Sequence, residues 1–203
     1  MNTIITIGRQ FGSGGFLVGE RLAKRLGFGF FDKELLNLAS KESGLSAEFF
    51  EQADEKRRFG FFGQLFRLGK SAIHGDMDNS YLTNDTLFQI QSDVIRDLAE
   101  KQSCVFVGRC ADYILRENPN CLHIFITANL DDRIVRVAER QHLPLDAAKN
   151  LLEKADKNRA AYYNFYTDKT WGAAESYHLC INTSALGIDE TVELIKSIVK
   201  KSS

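Results

Sequence analysis

Residues Gly8-Arg9-Gln10-Phe11-Gly12-Ser13-Gly14-Gly15 are the segment of this chain best equipped for chemistry. They lie between an apolar, β-branched run, Thr3 to Ile7, and a segment with helical spacing at Phe16, Gly19, Leu22, Ala23 and Leu26. A glycine-rich turn between a strand and a helix is the context of a phosphate-binding loop. Gly12, Gly14 and Gly15 let successive N–H groups point into one concavity, and the helix start adds its positive dipole end. Set against the pattern GxxxxGK[ST], with Gly14 as the second glycine, Arg9 stands at the first glycine. Gly15 replaces the lysine and Phe16 replaces the Ser/Thr. The candidate phosphate contacts are Gly8, Arg9, Gly12, Ser13, Gly14, Gly15 and Phe16, with Arg9 as a substitute for the absent lysine. The plain alternative is a tight strand-to-helix turn that binds nothing.

The elements that must position this loop follow from periodicity. Short apolar runs predict strands at Thr3–Ile7, Phe28–Phe31, Val105–Val107, Leu122–Thr127 and Leu179–Asn182. Helical spacing predicts helices from Phe16 to a stop at Gly27, after a cap at Asp32, over Ser46–Ala53, and over Thr83–Lys101. Others are predicted over Ala111–Arg116, Asp131–Gln141, Leu145 to about Tyr166, and Ile188–Lys200. Gly75 to Ser80 reads as a polar loop. Strands that alternate with helices predict an α/β fold: a parallel sheet of about five strands with helices on both faces. Ligands in such folds bind at the carboxyl ends of the strands. Those ends carry Gly8-Arg9, Asp32-Lys33, Gly108-Arg109 and Thr127.

Further candidates follow from those positions. Arg109, just past a strand, offers five donors to a phosphate, with an ion pair to Asp112 as the plain alternative. Asp32 could orient a nucleotide or a water-bound Mg²⁺, or serve only as a helix cap. Asp156 and Arg159, at i and i+3, share a helix face, as do Arg133, Arg136 and Arg140. Tyr162, Tyr163, Phe165, Tyr166 and Trp171 cluster after Arg159, where packing is the expected role. The Phe59–Leu68 stretch reads as a cover for the site or a dimer contact.

GRQFGSGG, FFDKELL, the segment from Val105 to Leu115 and the segment from Cys121 to Ala128 resemble the cytidylate kinase-like family, a branch of the P-loop nucleoside monophosphate kinases. The resemblance runs from Ile4 to about Val199. Gly108-Arg109 is similar to the GRD element whose arginine binds the monophosphate, with Cys110 at the Asp position. Asp156-Lys157-Asn158-Arg159 is similar to the D-x-x-R that contacts the cytidine nucleotide. Residues 181–188 resemble the closing strand and its turn into the last helix. The resemblance implies a P-loop NTPase-type domain over residues 1–203, with a helical acceptor-binding insertion at about 45–82 and an arginine-bearing lid at about 129–170. It implies transfer of the ATP γ-phosphoryl to CMP or dCMP with Mg²⁺. Arg109, Arg133, Arg136, Arg159 and Asp156 would do the catalytic work, and Asp32 would join the cofactor contacts. True cytidylate kinases carry a GSGK loop where this chain has Gly12-Ser13-Gly14-Gly15, so the resemblance is to the kinase-like branch. A nucleotide- or anion-binding protein without phosphoryl transfer, or a kinase for another small acceptor, therefore stay open.

Composition narrows the remaining classes. The 203 residues carry 26 Lys plus Arg and 27 Asp plus Glu, a net charge of −1, which argues against a general nucleic-acid partner. No apolar run suits a signal peptide or a membrane span. Cys104, Cys110, Cys121 and Cys180 match neither CxxC nor a zinc framework, and His74, His123, His142 and His178 are scattered, so no protein-held metal site is expected. Reduced thiols point to the cytoplasm, and a homodimer is an open expectation.

Overall fold

In a computed structural model, which describes residues 2–32 and 78–202, the first apolar run forms strand β1 (Ile4–Arg9). The glycine loop follows and leads into helix α1 (Gly15–Leu26). Gly27 closes that helix in the left-handed region at φ 71°, its N–H bonded to Ala23 O, as its position after the last helical residue predicts. Strand β2 (Gly29–Phe31), helix α2 (Asp78–Lys101) and strand β3 (Cys104–Val107) come next. The short helix α3 (Ala111–Ile114), strand β4 (Cys121–Thr127), and helices α4 (Leu130–Gln141) and α5 (Leu145–Thr167) follow. A single 3₁₀ turn (Ala174–Ser176), strand β5 (Leu179–Asn182), the short helix α6 (Thr183–Leu186) and helix α7 (Ile188–Ser202) complete the chain.

The strands form one parallel sheet in the order β2-β3-β1-β4-β5. Ile5 and Ile7 pair with Val105 and Val107 on one side, and Ile7 pairs with Ile124 on the other. These side chains share one sheet face with Ile126 and Ile181. Val18 and Leu22 of α1 and Val192 and Ile195 of α7 cover them, all 6% exposed or less. A strand buried on both faces reads as an unbroken apolar run, which is why Cys104-Val105-Phe106-Val107 is legible as sequence. A second small core, Val137, Ala138, Ala148 and Leu152, joins α4 to α5.

The chain divides into two compact units: residues 1–32 with 98–203, and residues 33–97. In the second unit only the helix from Asp78 onward is described. The expected helices after Asp32 and at Ser46–Ala53, the Phe59–Leu68 stretch and His74 lie outside the described residues. The expected polar loop at Gly75–Ser80 is corrected in part, because Asp78-Asn79-Ser80 already belong to α2. Asp, Asn and Ser punctuate loops, but they are equally the residues that open helices. Phe16, in the first turn of α1, is 41% exposed and sets its ring edge-on to Phe30 at 5.4 Å, while Val18 is buried. None of the four cysteines is in a disulfide: Cys104, Cys110 and Cys121 are buried thiols and Cys180 is exposed. Among the described residues no helix is long and apolar enough to cross a membrane.

The opposite sheet face carries a buried polar pair. Thr6 Oγ1 and His123 Nδ1 lie 2.8 Å apart, and the His123 ring stacks on His178 at 4.9 Å. Burial, then the His178 and Lys169 charges, pull the His123 pKa down to about 4. The unfolded chain therefore binds a proton between about pH 6.5 and pH 4 that the folded chain refuses. A depressed folded pKa gives stability that is present above pH 6.5 and is lost as pH falls towards 4. Relative to wild type, His123→Gln should remove up to roughly 3 kcal/mol of that acid-induced loss. Urea titrations of both proteins at pH 7 and pH 4.5 measure it, and parallel losses would deny His123 this role.

Candidate active site

The loop is built as its glycines require. Gly12 and Gly14 sit at φ 78° and 81°, and Gly14 is the N-cap of α1. Ser13 fastens the turn: its N–H and hydroxyl donate to Gln10 O at 3.3 and 2.8 Å, and its Oγ accepts from Gly15 N–H at 3.3 Å. Gln10 Oε1 in turn accepts from the Thr127 hydroxyl and from Ala128 N–H, tying the loop to the end of β4. Gly8 has a different duty. A Cβ there would lie 2.8 Å from Phe125 Cδ2 and 3.2 Å from the Tyr177 ring, so its missing side chain is explained by packing.

Arginines meet three carbonyls of the loop. Arg133 Nη1 donates to Asp156 Oδ2 at 2.6 Å and approaches Phe11 O at 3.4 Å. Asp156 Oδ1 accepts from Phe11 N–H at 2.7 Å, so this carboxylate clamps α4 and the loop to α5. Arg136 Nη1 donates to Thr183 Oγ1 at 3.0 Å, with Ser13 O 3.4 Å away, and Thr183 donates to Ser13 O at 2.7 Å. Arg159 Nη1 donates to Arg9 O at 2.9 Å. Phe11 sits between two guanidinium groups, Arg140 at 5.2 Å and Arg159 at 5.3 Å from its ring centre.

Arg9, Arg109, Arg133, Arg136, Arg140 and Arg159 therefore gather about the loop, against Asp32 and Asp156. Burial, then the Arg9 charge, pull the Arg159 pKa down to about 9, while Asp156 and Asp32 oppose them. Burial likewise lowers Arg9, with Asp32 opposing it and Arg109 adding to it. Both groups stay protonated at neutral pH, crowded together and largely withdrawn from water. A polyphosphate fits such a cluster of cations. Among the described residues no group of three or more His, Cys, Asp or Glu could hold a metal. Mg²⁺ would then take its oxygens mainly from phosphates and water, as that ion commonly does.

The turn after β3 is unusual. Gly108, Arg109 and Cys110 are all left-handed, at φ 79°, 61° and 55°. Two of them carry side chains, at a cost of about 1–2 kcal/mol each, and backbone strain of this kind concentrates where a side chain must be aimed. Asp112 does not need Arg109 as a partner. It is buried and accepts from Tyr163 Oη at 2.7 Å, and burial raises its pKa despite that bond. Tyr163, expected in a packing cluster, is thus also a donor. Tyr162 and Tyr166 pair with each other, Phe165 packs against Tyr166, and Trp171 packs against Phe125.

Sequence reasoning missed three residues that shape the loop: Gln10, Phe11 and Thr183. Gln10 and Phe11 lie inside the motif, at positions the pattern leaves free. Thr183 opens a four-residue helix 170 positions from Ser13, and nothing local marks its reach.

A five-stranded parallel sheet in this order, with a glycine loop after β1, defines a P-loop NTPase-type fold. The chain belongs to the cytidylate kinase-like family, whose description it matches over residues 4–185. A cytidylate kinase of Desulfurococcus amylolyticus is 29% identical over 114 residues, covering 56% of this chain and 60% of that protein. A cytidylate kinase of Haloarcula marismortui is 30% identical over 100 residues, covering 47% and 52%. The matched stretch thus spans little more than half the length of either relative. An uncharacterised protein from Eubacterium ventriosum superimposes with a TM-score of 0.74 at 30% identity, covering 98% of this chain and 99% of that one. Shikimate kinase from Bacteroides thetaiotaomicron shares the fold at a TM-score of 0.54, with 15% identity and 98% of each chain covered.

Proposed function

We propose that this protein is a nucleoside monophosphate kinase that transfers the γ-phosphoryl of ATP to CMP or dCMP. The observation that carries the reading is the convergence of arginines from β1, α4 and α5 on one glycine loop at the carboxyl end of the sheet. A phosphate oxygen of the acceptor bonds to the γ-phosphorus, the bond from that phosphorus to the β,γ-bridging oxygen breaks, and ADP leaves. The chemistry asks the protein mainly for positioning and for positive charge where negative charge gathers. Mg²⁺, when bound with ATP, neutralises phosphate charge. The loop N–H groups of Gly12 and Gly14, with the start of α1, hold the donor phosphates, while Ser13 and Gly15 N–H brace the turn. Arg109, aimed by its strained turn, holds the acceptor phosphate. Arg159 would contact the acceptor or the transferring group. Arg133 and Arg136 hold the loop carbonyls of Phe11 and Ser13, and Arg140 closes from the exposed side. Residues at about 45–82 would carry the acceptor-binding insertion, and the segment at about 129–170, which holds α4 and α5, would be the lid.

A second reading, nucleotide binding without transfer, is favoured by one feature: Gly15 at the lysine position. Coupled ADP release, measured across nucleoside monophosphates and other small phosphate or hydroxyl acceptors, separates the readings. The kinase reading expects release that depends on CMP or dCMP and on Mg²⁺. Tight ATP binding with no acceptor-dependent release would favour the second reading. Release with a different acceptor would reassign the substrate.

A further inference from the structure

Arg9 and Gly15 occupy the two positions where the phosphate-loop pattern has its first glycine and its lysine. In the fold these positions meet. A Cβ built on Gly15 would lie 2.6 Å from Arg9 Cβ and 3.1 Å from Arg9 Cγ, with Ile126 Cβ at 3.2 Å. Arg9 Cβ is fixed by the backbone of β1, so it cannot swing aside as the end of a long side chain could. A side chain at position 15 and an arginine stem at position 9 are therefore mutually exclusive. The far end of Arg9 is accommodated by a second missing side chain. Its guanidinium lies over Gly108 and overlaps the place a Cβ would take there.

The guanidinium is also poorly partnered. The Arg9 side chain is 18% exposed, and its one hydrogen bond among the described residues is a stretched 3.5 Å contact to Asp32. Arg109 and Arg159 add positive charge beside it. Asp156 is engaged by Arg133 and by Phe11 N–H. A largely buried cation with one carboxylate at 3.5 Å and two arginines beside it has capacity for a further anion.

We propose that the loop cation of this protein has changed places: Arg9 binds the phosphates of the nucleoside triphosphate, and Gly15 is glycine because the Arg9 stem fills the space of a lysine stem. The inference rests on the kinase reading above and names the residue that replaces the lysine in it. It also makes Gly15→Lys alone a harmful change, since the new Cβ would strike Arg9 Cβ.

The test is calorimetric titration of ATP with Mg²⁺, beside melting curves, on wild type, Arg9→Met, Arg9→Gly, Gly15→Lys and the combined Arg9→Gly/Gly15→Lys. Arg9→Met keeps the stem and removes the charge, so it should melt close to wild type and bind ATP about 10- to 100-fold more weakly. Gly15→Lys alone should melt lower and bind more weakly. The combined variant, with the cation moved to the lysine position, should bind ATP at least about 10-fold more tightly than Arg9→Gly. ATP affinity of Arg9→Met within threefold of wild type would overturn the proposal, and so would a combined variant no better than Arg9→Gly. In either case a wild type that still transfers phosphate leaves the kinase reading standing. A wild type that neither binds ATP nor releases ADP defeats both.

Discussion

Arg159→Ala is expected to lower kcat/KM for CMP by about 30- to 1000-fold, equivalent to about 2–4 kcal/mol of transition-state stabilisation. The guanidinium is placed for that role. One donor is spent on Arg9 O at 2.9 Å, and its face lies 5.3 Å from the Phe11 ring. Its remaining donors have no hydrogen-bond partner among the described residues. The same contact predicts a second effect. Arg9 O loses its donor in the variant, so the melting temperature should fall by a few degrees, in keeping with about 1 kcal/mol. Arg159→Lys keeps the charge but not the planar fork, and should restore little activity. Steady-state kinetics beside melting curves separate the two roles. A fall in melting temperature with kcat/KM within threefold of wild type would make Arg159 a structural residue only.

The largest stability effect should come from Asp156→Ala. Among the described residues Asp156 is the single carboxylate that pairs with Arg133, and the two side chains are 17% and 9% exposed. Removing it leaves a buried guanidinium whose Nε already lacks a partner, and it strips Phe11 N–H of its acceptor. The expected loss is about 3–5 kcal/mol in urea denaturation at pH 7. Replacing both partners, as Arg133→Met/Asp156→Ala, should cost less than Asp156→Ala alone, because no unpaired charge remains. Asp156→Asn, which still accepts from Phe11, should fall between. A loss below about 1 kcal/mol for Asp156→Ala would mean that the pair behaves as a solvated surface bridge.

These two residues mark where the sequence can be read and where it cannot. Asp156 and Arg159 stand out because i, i+3 spacing puts them on one helix face. Their partners, Phe11 N–H, Arg133 and Arg9 O, are contributed by segments 23 to 150 residues away. The β1–loop–α1 unit is legible because each part has a local signature: a β-branched run, glycines at positive φ, a 3.6-residue period and a closing glycine. The five strands are legible for the same reason. Their order is not, since nothing within Leu122–Thr127 says that it pairs with β1. The left-handed turn at Arg109 and Cys110 is hidden because neither residue is a glycine. The exclusion between Arg9 and Gly15 is half-legible: the swap shows in the motif, but the overlap of the two stems needs coordinates.

The most direct measurement is transfer of label from γ-labelled ATP to CMP by wild-type protein with Mg²⁺, with the products separated and identified. The account predicts labelled CDP in amounts that depend on CMP, with ADP formed in equal measure. Unlabelled CMP, with the label retained in ATP or released only as inorganic phosphate, would contradict the proposed transfer to CMP.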